Sequence, residues 1–379
     1  MDSPITSARR DRGWSQARLL YQLRVAGHAA GINLPDDDKL RVTLSGWENG
    51  RHRPSKVYLG LLCDALEVSE ADLGFAGRSS TPPPAGVGAE AVAYLDSILR
   101  LHIQADQIMG SQLLIDVVRE QARQAQRWAH DVRGPVREPM LRTVSRFAEF
   151  SGWVHQDQGD FAAADEWTRD SVDMAQALGD ARLVAYGLMR RSNVATESGR
   201  PTDGLHLADA ALRQHHPPDP RLTALSLRQK ASAHAMLGEV ADCRSTVDRG
   251  SDAAAAGTTA AEADTAYCTV PYMAMEGGQA MLTAGDSTTA VQLLSTAVDQ
   301  WPARQDRDRG LCLARLAHAY LDTREPEAAC TVAHEAIASL AEARSARTER
   351  TLRRLRGRLL PFRNHPDVLE LREVLATAV

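Results

Sequence analysis

Five times along this chain a residue able to end a helix falls between two helical stretches: Gly159, Gly199, Gly238, Gly285 and, in the fifth place, Arg324. The separations are 40, 39, 47 and 39 residues. Seven residues before each stand Gly152, Ser192, Ala231, Gly278 and Ala317; five residues after stand Ala164, Gly204, Cys243, Ala290 and Ala329. All ten are small. Two antiparallel helices come closest where small residues face each other, and a larger side chain there would push the axes apart. Glycine between the helices supplies the left-handed cap that ends the first of the pair. The spacing therefore predicts a series of helical hairpins. Composition agrees: Ala, Leu and Arg abound, aromatics make up only 5%, and alternating β-branched runs are almost absent. The fold class predicted is all-α.

At 379 residues the chain is too long for one compact core. The stretch Gly77 to Gly88 reads GRSSTPPPAGVG, which cannot continue a helix. It divides the chain into a domain over 1–76, a Pro/Gly/Ser linker over 77–88 and a repeat domain over 89–379. Within the repeat domain, helices at 89–131 and 345–377 are expected to act as degenerate caps.

The first domain parses into about five short helices: Ile5 to Asp11, Gln16 to about Ala26, one capped by Asp36 to Asp38 and ending near Asn49-Gly50, one starting at Pro54-Ser55, and a last turn over Ser69 to Phe75. Two segments carry a resemblance, Arg10-Asp11-Arg12-Gly13-Trp14-Ser15-Gln16 and Leu44-Ser45-Gly46-Trp47-Glu48-Asn49-Gly50-Arg51-His52-Arg53-Pro54. They resemble the XRE-type helix-turn-helix family, over about a fifth of the chain, with an insertion between the second and third helices. That likeness implies a third helix lying in the major groove of double-stranded DNA, its leading side chains at base edges. Lys39, Arg41, Val42 and Ser45 are the candidate base contacts. Arg41 suits guanine, Val42 a thymine methyl, and Ser45 either base. Ser15 and Gln16, beside free N–H groups, and the run Arg51, His52, Arg53 and Lys56 suit phosphates. Trp47 and Leu44 are expected in the core. Asp36, Asp37 and Asp38 sit awkwardly near a polyanion and are expected to cap the helix while pointing away. The net charge is −5; residues 1–80 are near +1 and the rest near −6, so any DNA contact needs a local basic face.

The repeat region resembles tetratricopeptide repeats, most plainly in Ala148-x-x-Ser151-Gly152-x-x-His155-x-x-Gln158-Gly159-Asp160-Phe161-x-x-Ala164. The units are longer than that family's period of about 34 residues. The resemblance implies a right-handed solenoid whose first helices line a groove. Carried over position by position, the lining is Arg146, Trp153, Gln156, Tyr186, Met189, Asn193, Arg228, Tyr272, Met275, Gln279 and His318, with Asp157, Glu197 and Ser232 beside them. An XRE-type reader followed by such repeats is similar to the RRNPP group of peptide-sensing regulators. This implies a homodimer that binds an operator and a peptide or small signalling ligand. The alternative is an interaction scaffold whose N-terminal unit docks a protein.

No Gly-rich phosphate loop, no G-x-S-x-G elbow and no zinc-ligand spacing occurs, so neither catalytic nor metal residues nor a cofactor are expected. His215-His216, followed by two prolines, reads as a loop, and His334-Glu335 lacks a second histidine. The five cysteines are scattered and read as free, buried thiols. No apolar run is long enough to span a bilayer and no signal-peptide core opens the chain, so a cytoplasmic protein that avoids membranes is expected. Arg344, Arg347, Arg350, Arg353, Arg354, Arg356 and Arg358 load one late helix with charge, either as a solvated capping face or as a surface for DNA or an acidic partner.

Overall fold

The computed structural model describes residues 3–70, 72–75, 88–214, 219–257, 264–301, 306–342 and 345–378. The expected linker (apart from Gly88), His215-His216 and Arg344 lie outside them. Among the described residues every regular element is helical. The fold is all-α and tetratricopeptide-like. The described residues cluster into two compact units, one over Met1–Leu101, Ile115–Trp153 and Ala162–Gly187, the other over His102–Leu114, Val154–Phe161 and Leu188–Val379.

The first unit opens with α1 (Pro4–Asp11), α2 (Gln16–Ala29), α3 (Asp37–Glu48) and α4 (Lys56–Leu66). Ser3, Ser15 and Asp36 each accept a hydrogen bond from the backbone N–H three residues on, at 3.2, 3.2 and 3.0 Å, which satisfies a free donor and starts the helix. Ile5, Leu19, Leu23, Leu40, Leu44, Leu62 and Leu66 form their shared core, closed by Leu73. One expectation is corrected. Helix α2 runs on to Ala29, because Ala26, Gly27 and His28 keep helical geometry, so the connection to α3 shortens to 30–36. Beyond α4 lies the expected turn, in which the Ser69 carbonyl accepts from the Asp72 and Leu73 N–H groups and the Asp72 carboxylate accepts from the Ser69 N–H.

The caps expected at either end of the repeats are helical pairs: α5 (Ala89–Met109) with α6 (Ile115–Asp131), and α17 (Ala346–Arg358) with α18 (Pro366–Ala378). Between them lie five pairs: α7 (Arg137–Gln158) and α8 (Phe161–Leu178), α9 (Ala181–Glu197) and α10 (Pro201–Gln214), α11 (Pro220–Leu237) and α12 (Val240–Ala255), α13 (Val270–Thr283) and α14 (Ser287–Gln300), α15 (Asp306–Asp322) and α16 (Pro326–Glu342). All five residues between the partners are left-handed, with φ of +86°, +83°, +76°, +89° and, for Arg324, +66°. Arginine at the fifth place bears the strain that glycine escapes at the others.

The ten small positions are buried. A Cβ on Gly152 would lie 2.7 Å from Thr168 Cγ2 and 3.3 Å from the Ala164 carbonyl; one on Gly278 would lie 2.6 Å from Leu294 Cγ and 3.3 Å from the Ala290 carbonyl. Ser192 Oγ donates to the Gly204 carbonyl at 2.7 Å. In each case the residue seven before the turn abuts the residue five after it. The second unit's apolar interior is built from the same helices, with Met275, Met281, Leu294 and Cys312 in one cluster and Leu313, Leu352, Leu355 and Leu371 in the next. All five cysteines are free, and Cys243, Cys312 and Cys330 sit in these cores, where burial raises their thiol pKa values to about 11, 12 and 11. No helix among the described residues is long and apolar enough to cross a membrane.

Overpacking a closed contact costs about 1–3 kcal/mol. Gly278→Val is expected to lose that much stability in chemical denaturation. Gly357→Ala, on an α17 position with open space around it, is expected to gain about 0.5–1 kcal/mol. Equal effects for the two would contradict the close approach.

Candidate functional site

Many of the candidate residues gather in two arrangements, an exposed helix face and a buried network, each within one unit. The first is α3. Leu40, Leu44 and Trp47 point into the core, and Trp47 packs on Tyr58 with ring centroids 4.8 Å apart. On the opposite side, at helical spacing, stand Asp38, Arg41, Val42, half-buried Ser45 and Asn49, with Lys39 beside them. Val42 is 74% exposed, which leaves its methyl groups free to meet an apolar partner. Asn49 donates to Ser45 Oγ at 3.2 Å and to its carbonyl at 2.7 Å, which orients the serine.

The helix is held from behind by one carboxylate. Glu48 accepts from Arg9 Nε at 2.5 Å and from Gln16 Nε2 at 3.0 Å, with Arg9 and Glu48 both nearly enclosed. Arg9 also donates to the Trp14 carbonyl at 2.7 Å. This ties α1 and the start of α2 to the end of α3. Arg9 escaped the sequence reading because nothing local marks it; Glu48 was inside the recognised motif.

The acidic run has three fates. Asp36 caps α3, and its pKa is lowered by the bond from the Lys39 backbone N–H and then by the Lys39 side chain. Asp37 pairs with Arg24 at 2.5 Å. Asp38, contrary to expectation, stays on the exposed stripe, 3.3 Å from the Arg41 guanidinium, because α3 carries positions 38 and 41 on one face.

The expected phosphate contacts separate as well. Ser15, Arg51 and Arg53 are exposed, Arg53 lying over the Phe75 ring. Gln16 is committed to Glu48, and Lys56 to Glu70 at 2.7 Å. His52 folds back over α3, edge-on to Trp47, in the space that a Cβ at Gly46 would occupy. These three are structural contacts here, because each finds a nearer partner inside the domain than solvent offers.

The second is a buried polar ladder in the other unit, on first helices of the pairs. Gln156 donates to Asn193 at 2.8 Å and to Glu197 at 2.9 Å; Arg190 donates to Gln156 at 2.9 Å and to Asn193 at 3.1 Å. Further along, Glu276 accepts from Arg228 at 2.8 Å and from Arg315 at 2.8 Å, with Arg347 at 4.0 Å. Arg228 also lies 5.7 Å from the Tyr272 ring centre, and Tyr272 meets Tyr267 edge-on. Burial alone would raise the Glu276 carboxyl, but Arg228, Arg315 and Arg347 together hold it well below the usual carboxylate range.

Four expected lining residues, Gln156, Asn193, Arg228 and Tyr272, belong to this ladder. Met189 and Met275 do not line anything open: both are wholly enclosed, since the tight helix pairing turns them into the core. Gln279 donates its side-chain amide to Thr283, within its own helix. His318 meets the Thr351 carbonyl at 3.0 Å and Arg358 at 3.3 Å; burial, then Arg358, lowers its pKa, so the neutral ring fits a donating Nε2–H and an accepting Nδ1. In the first unit Arg146 reaches Asp96 at 3.5 Å, Trp153 is half-buried and Tyr186 is buried. The arginine-rich helix α17 divides. Arg347 and Arg350 turn inward, Arg350 donating to the Asp157 carbonyl at 2.9 Å, whereas Arg353 and Arg358 pair with Glu349 and Asp322 near the surface. Glu276 was findable in sequence, as a lone carboxylate in the apolar run from Val270 to Leu282 that had to meet a cation somewhere.

Several solved structures align with the chain. Rap protein in complex with competence and sporulation factor aligns at a TM-score of 0.52 and 13% identity, over 85% of this chain and 92% of that one. BtubC from P. vanneervenii gives 0.44 and 16% over 62% and 92%, and PlcR from Bacillus thuringiensis, in complex with the peptide PapR7 and DNA, gives 0.37 and 12% over 78% and 94%. At such identities the likeness to Rap speaks for the helical fold alone. No family model matches the chain, and no curated protein does either.

Glu276→Gln leaves the enclosed arginines without their counter-charge and is expected to cost about 3–5 kcal/mol at neutral pH. The depressed pKa makes this stabilisation complete above the free glutamate value of about 4.3 and lost as pH falls through the folded value. The gap between parent and variant in denaturation midpoints should therefore narrow in acid. A gap constant down to the acid limit would disprove the role.

Proposed function

We propose that this chain is a sequence-specific DNA-binding transcriptional regulator, with α1 to α4 as an XRE-type helix-turn-helix reader and the tetratricopeptide-like helices as a dimerising sensor for a peptide or small signalling ligand. The observation that carries the reading is the exposed stripe of α3. Lys39, Arg41, Val42 and Ser45 offer a cation, a bidentate donor, a methyl-sized apolar contact and a hydroxyl along one helical edge. That is the chemistry of base edges in a major groove. The helix is rigid behind this edge, through Leu40, Leu44, Trp47 and the Arg9–Glu48 pair, so little order must be gained on binding. Ser15, Arg51 and Arg53 supply phosphate contacts that set the register. Two readers in a dimer would sit on half-sites about one turn apart, about 34 Å.

The sensing half of the reading rests on the polar ladder. Gln156, Arg190, Asn193 and Glu197 satisfy one another across two first helices. A ligand offering amide groups of its own can replace these bonds one for one. Only a ligand that prefers one arrangement of the dimer would alter operator affinity.

A mobility-shift assay against DNA from upstream of the chain's own gene tests the reader. Arg41→Ala combined with Ser45→Ala is expected to weaken specific binding by about 10- to 100-fold, from the 1–3 kcal/mol of a bidentate base contact, with an unchanged melting curve. Asp38→Asn removes a carboxylate from the duplex-facing stripe and frees Arg41, so it is expected to tighten binding to every sequence and steepen the salt dependence. Binding by the double variant that matches the parent on all sequences would leave α1 to α4 as a protein-docking unit instead.

A further inference from the structure

The first unit holds a cleft, open to solvent, between α4 on one side and α6, the start of α7 and α8 on the other. Its walls are apolar: Ile32, Val57, Leu61, Ala129, Leu141 and Met174. Its polar lining is mostly basic, with Lys56, His130, Arg133 and Arg137 against one acid, Asp64. Lys56 is committed to Glu70. Arg133 is held by backbone carbonyls, donating to His130 at 2.6 Å and to Val132 at 3.2 Å, which fixes the guanidinium but leaves its charge unbalanced.

Arg137 has neither. It is half-buried, it makes no hydrogen bond or ion pair among the described residues, and Asp64 pairs with neither arginine. Burial, then the neighbouring Arg133, lowers its pKa. A half-buried guanidinium beside a like charge lacks a counter-charge of its own, and a carboxylate would supply one with two parallel bonds. The first turn of α7, which begins at Arg137, adds its own partial positive charge.

We propose that this cleft binds a small amphipathic carboxylate, its head on Arg137 and Arg133 and its apolar body against Leu61, Ala129 and Met174. A bare inorganic anion would leave the apolar wall wet, and an uncharged apolar molecule would leave the arginine pair unmet, so the cleft favours a molecule with both parts. The inference is independent of DNA recognition and of the polar ladder in the other unit.

Calorimetric titration of the full chain with decanoate tests it, with decanol and inorganic phosphate as separate probes. Saturable binding of one decanoate per chain is expected, weaker by about tenfold or more for decanol, and by a similar factor for Arg137→Met, since a hydrogen-bonded charge is lost in both. Phosphate is expected to bind more weakly than decanoate. Decanoate should raise the melting temperature of the parent, and at the same concentration raise that of Arg137→Met by less. Arg137→Lys, which keeps the charge but not the fork, should bind with intermediate strength and guards against a fold defect in the methionine variant. Decanol binding as tightly as decanoate, undiminished binding by Arg137→Met, or no saturable heat with decanoate would each overturn the assignment.

Discussion

Everything in the repeat region depends on helix backbones touching where side chains are absent. Gly152 against Ala164, Ser192 against Gly204 and Gly278 against Ala290 leave no room for a Cβ that is not already there. This close approach has two consequences. It fixes the rotation of each first helix about its own axis, since only one face carries the small residue. It also decides which residues pack against the neighbouring helices and which join the buried ladder. Met189 and Gln156 stand on first helices of neighbouring pairs and both are buried, yet Met189 meets the Gln229 amide through its sulfur while Gln156 belongs to a network of polar side chains.

Burying polar groups along those helices demands that they satisfy one another, because an enclosed donor or acceptor without a partner costs free energy comparable to a hydrogen bond. The chain meets the demand in two different ways. Around Asn193 two amides, Gln156 and Asn193 itself, are bonded by Arg190 on one side and Glu197 on the other. Around Glu276 a single carboxylate balances Arg228 and Arg315, with Arg347 arriving from near the end of the chain. The amide members of the first network can exchange partners with a ligand at less cost than a buried carboxylate that balances arginines. In the proposed sensor, exchange with a ligand therefore belongs at Gln156 and Asn193, with the Glu276 cluster as its fixed frame.

Much of this was legible residue by residue. The turn positions, including the anomalous Arg324, could be placed because a left-handed cap is a local property, and all five have positive φ. The exposed face of α3 was equally accessible, because Leu40, Leu44 and Trp47 lie at helical spacing and dictate what faces away. What was hidden were pairings between distant segments. Nothing near His52 says that Gly46 will make room for its ring, and nothing near Arg350 says that it will meet a carbonyl 193 residues away. Arg9 and Arg137 show the same blindness in opposite senses: one is locked onto Glu48, the other left without a counter-charge.

The amino-acid sequence by itself determined that the chain is helical, where the hairpins turn, which ten positions must be small, and which side of α3 is free. These follow from spacing along one or two helices, and helical geometry links spacing to direction without help from the rest of the molecule. Only the tertiary structure decided which charges meet, that Gln16 and Lys56 are spent on internal partners, and that a basic cleft opens beside α4. Those outcomes depend on through-space distances between segments remote in the chain, which stacking of the helices sets and local sequence does not encode.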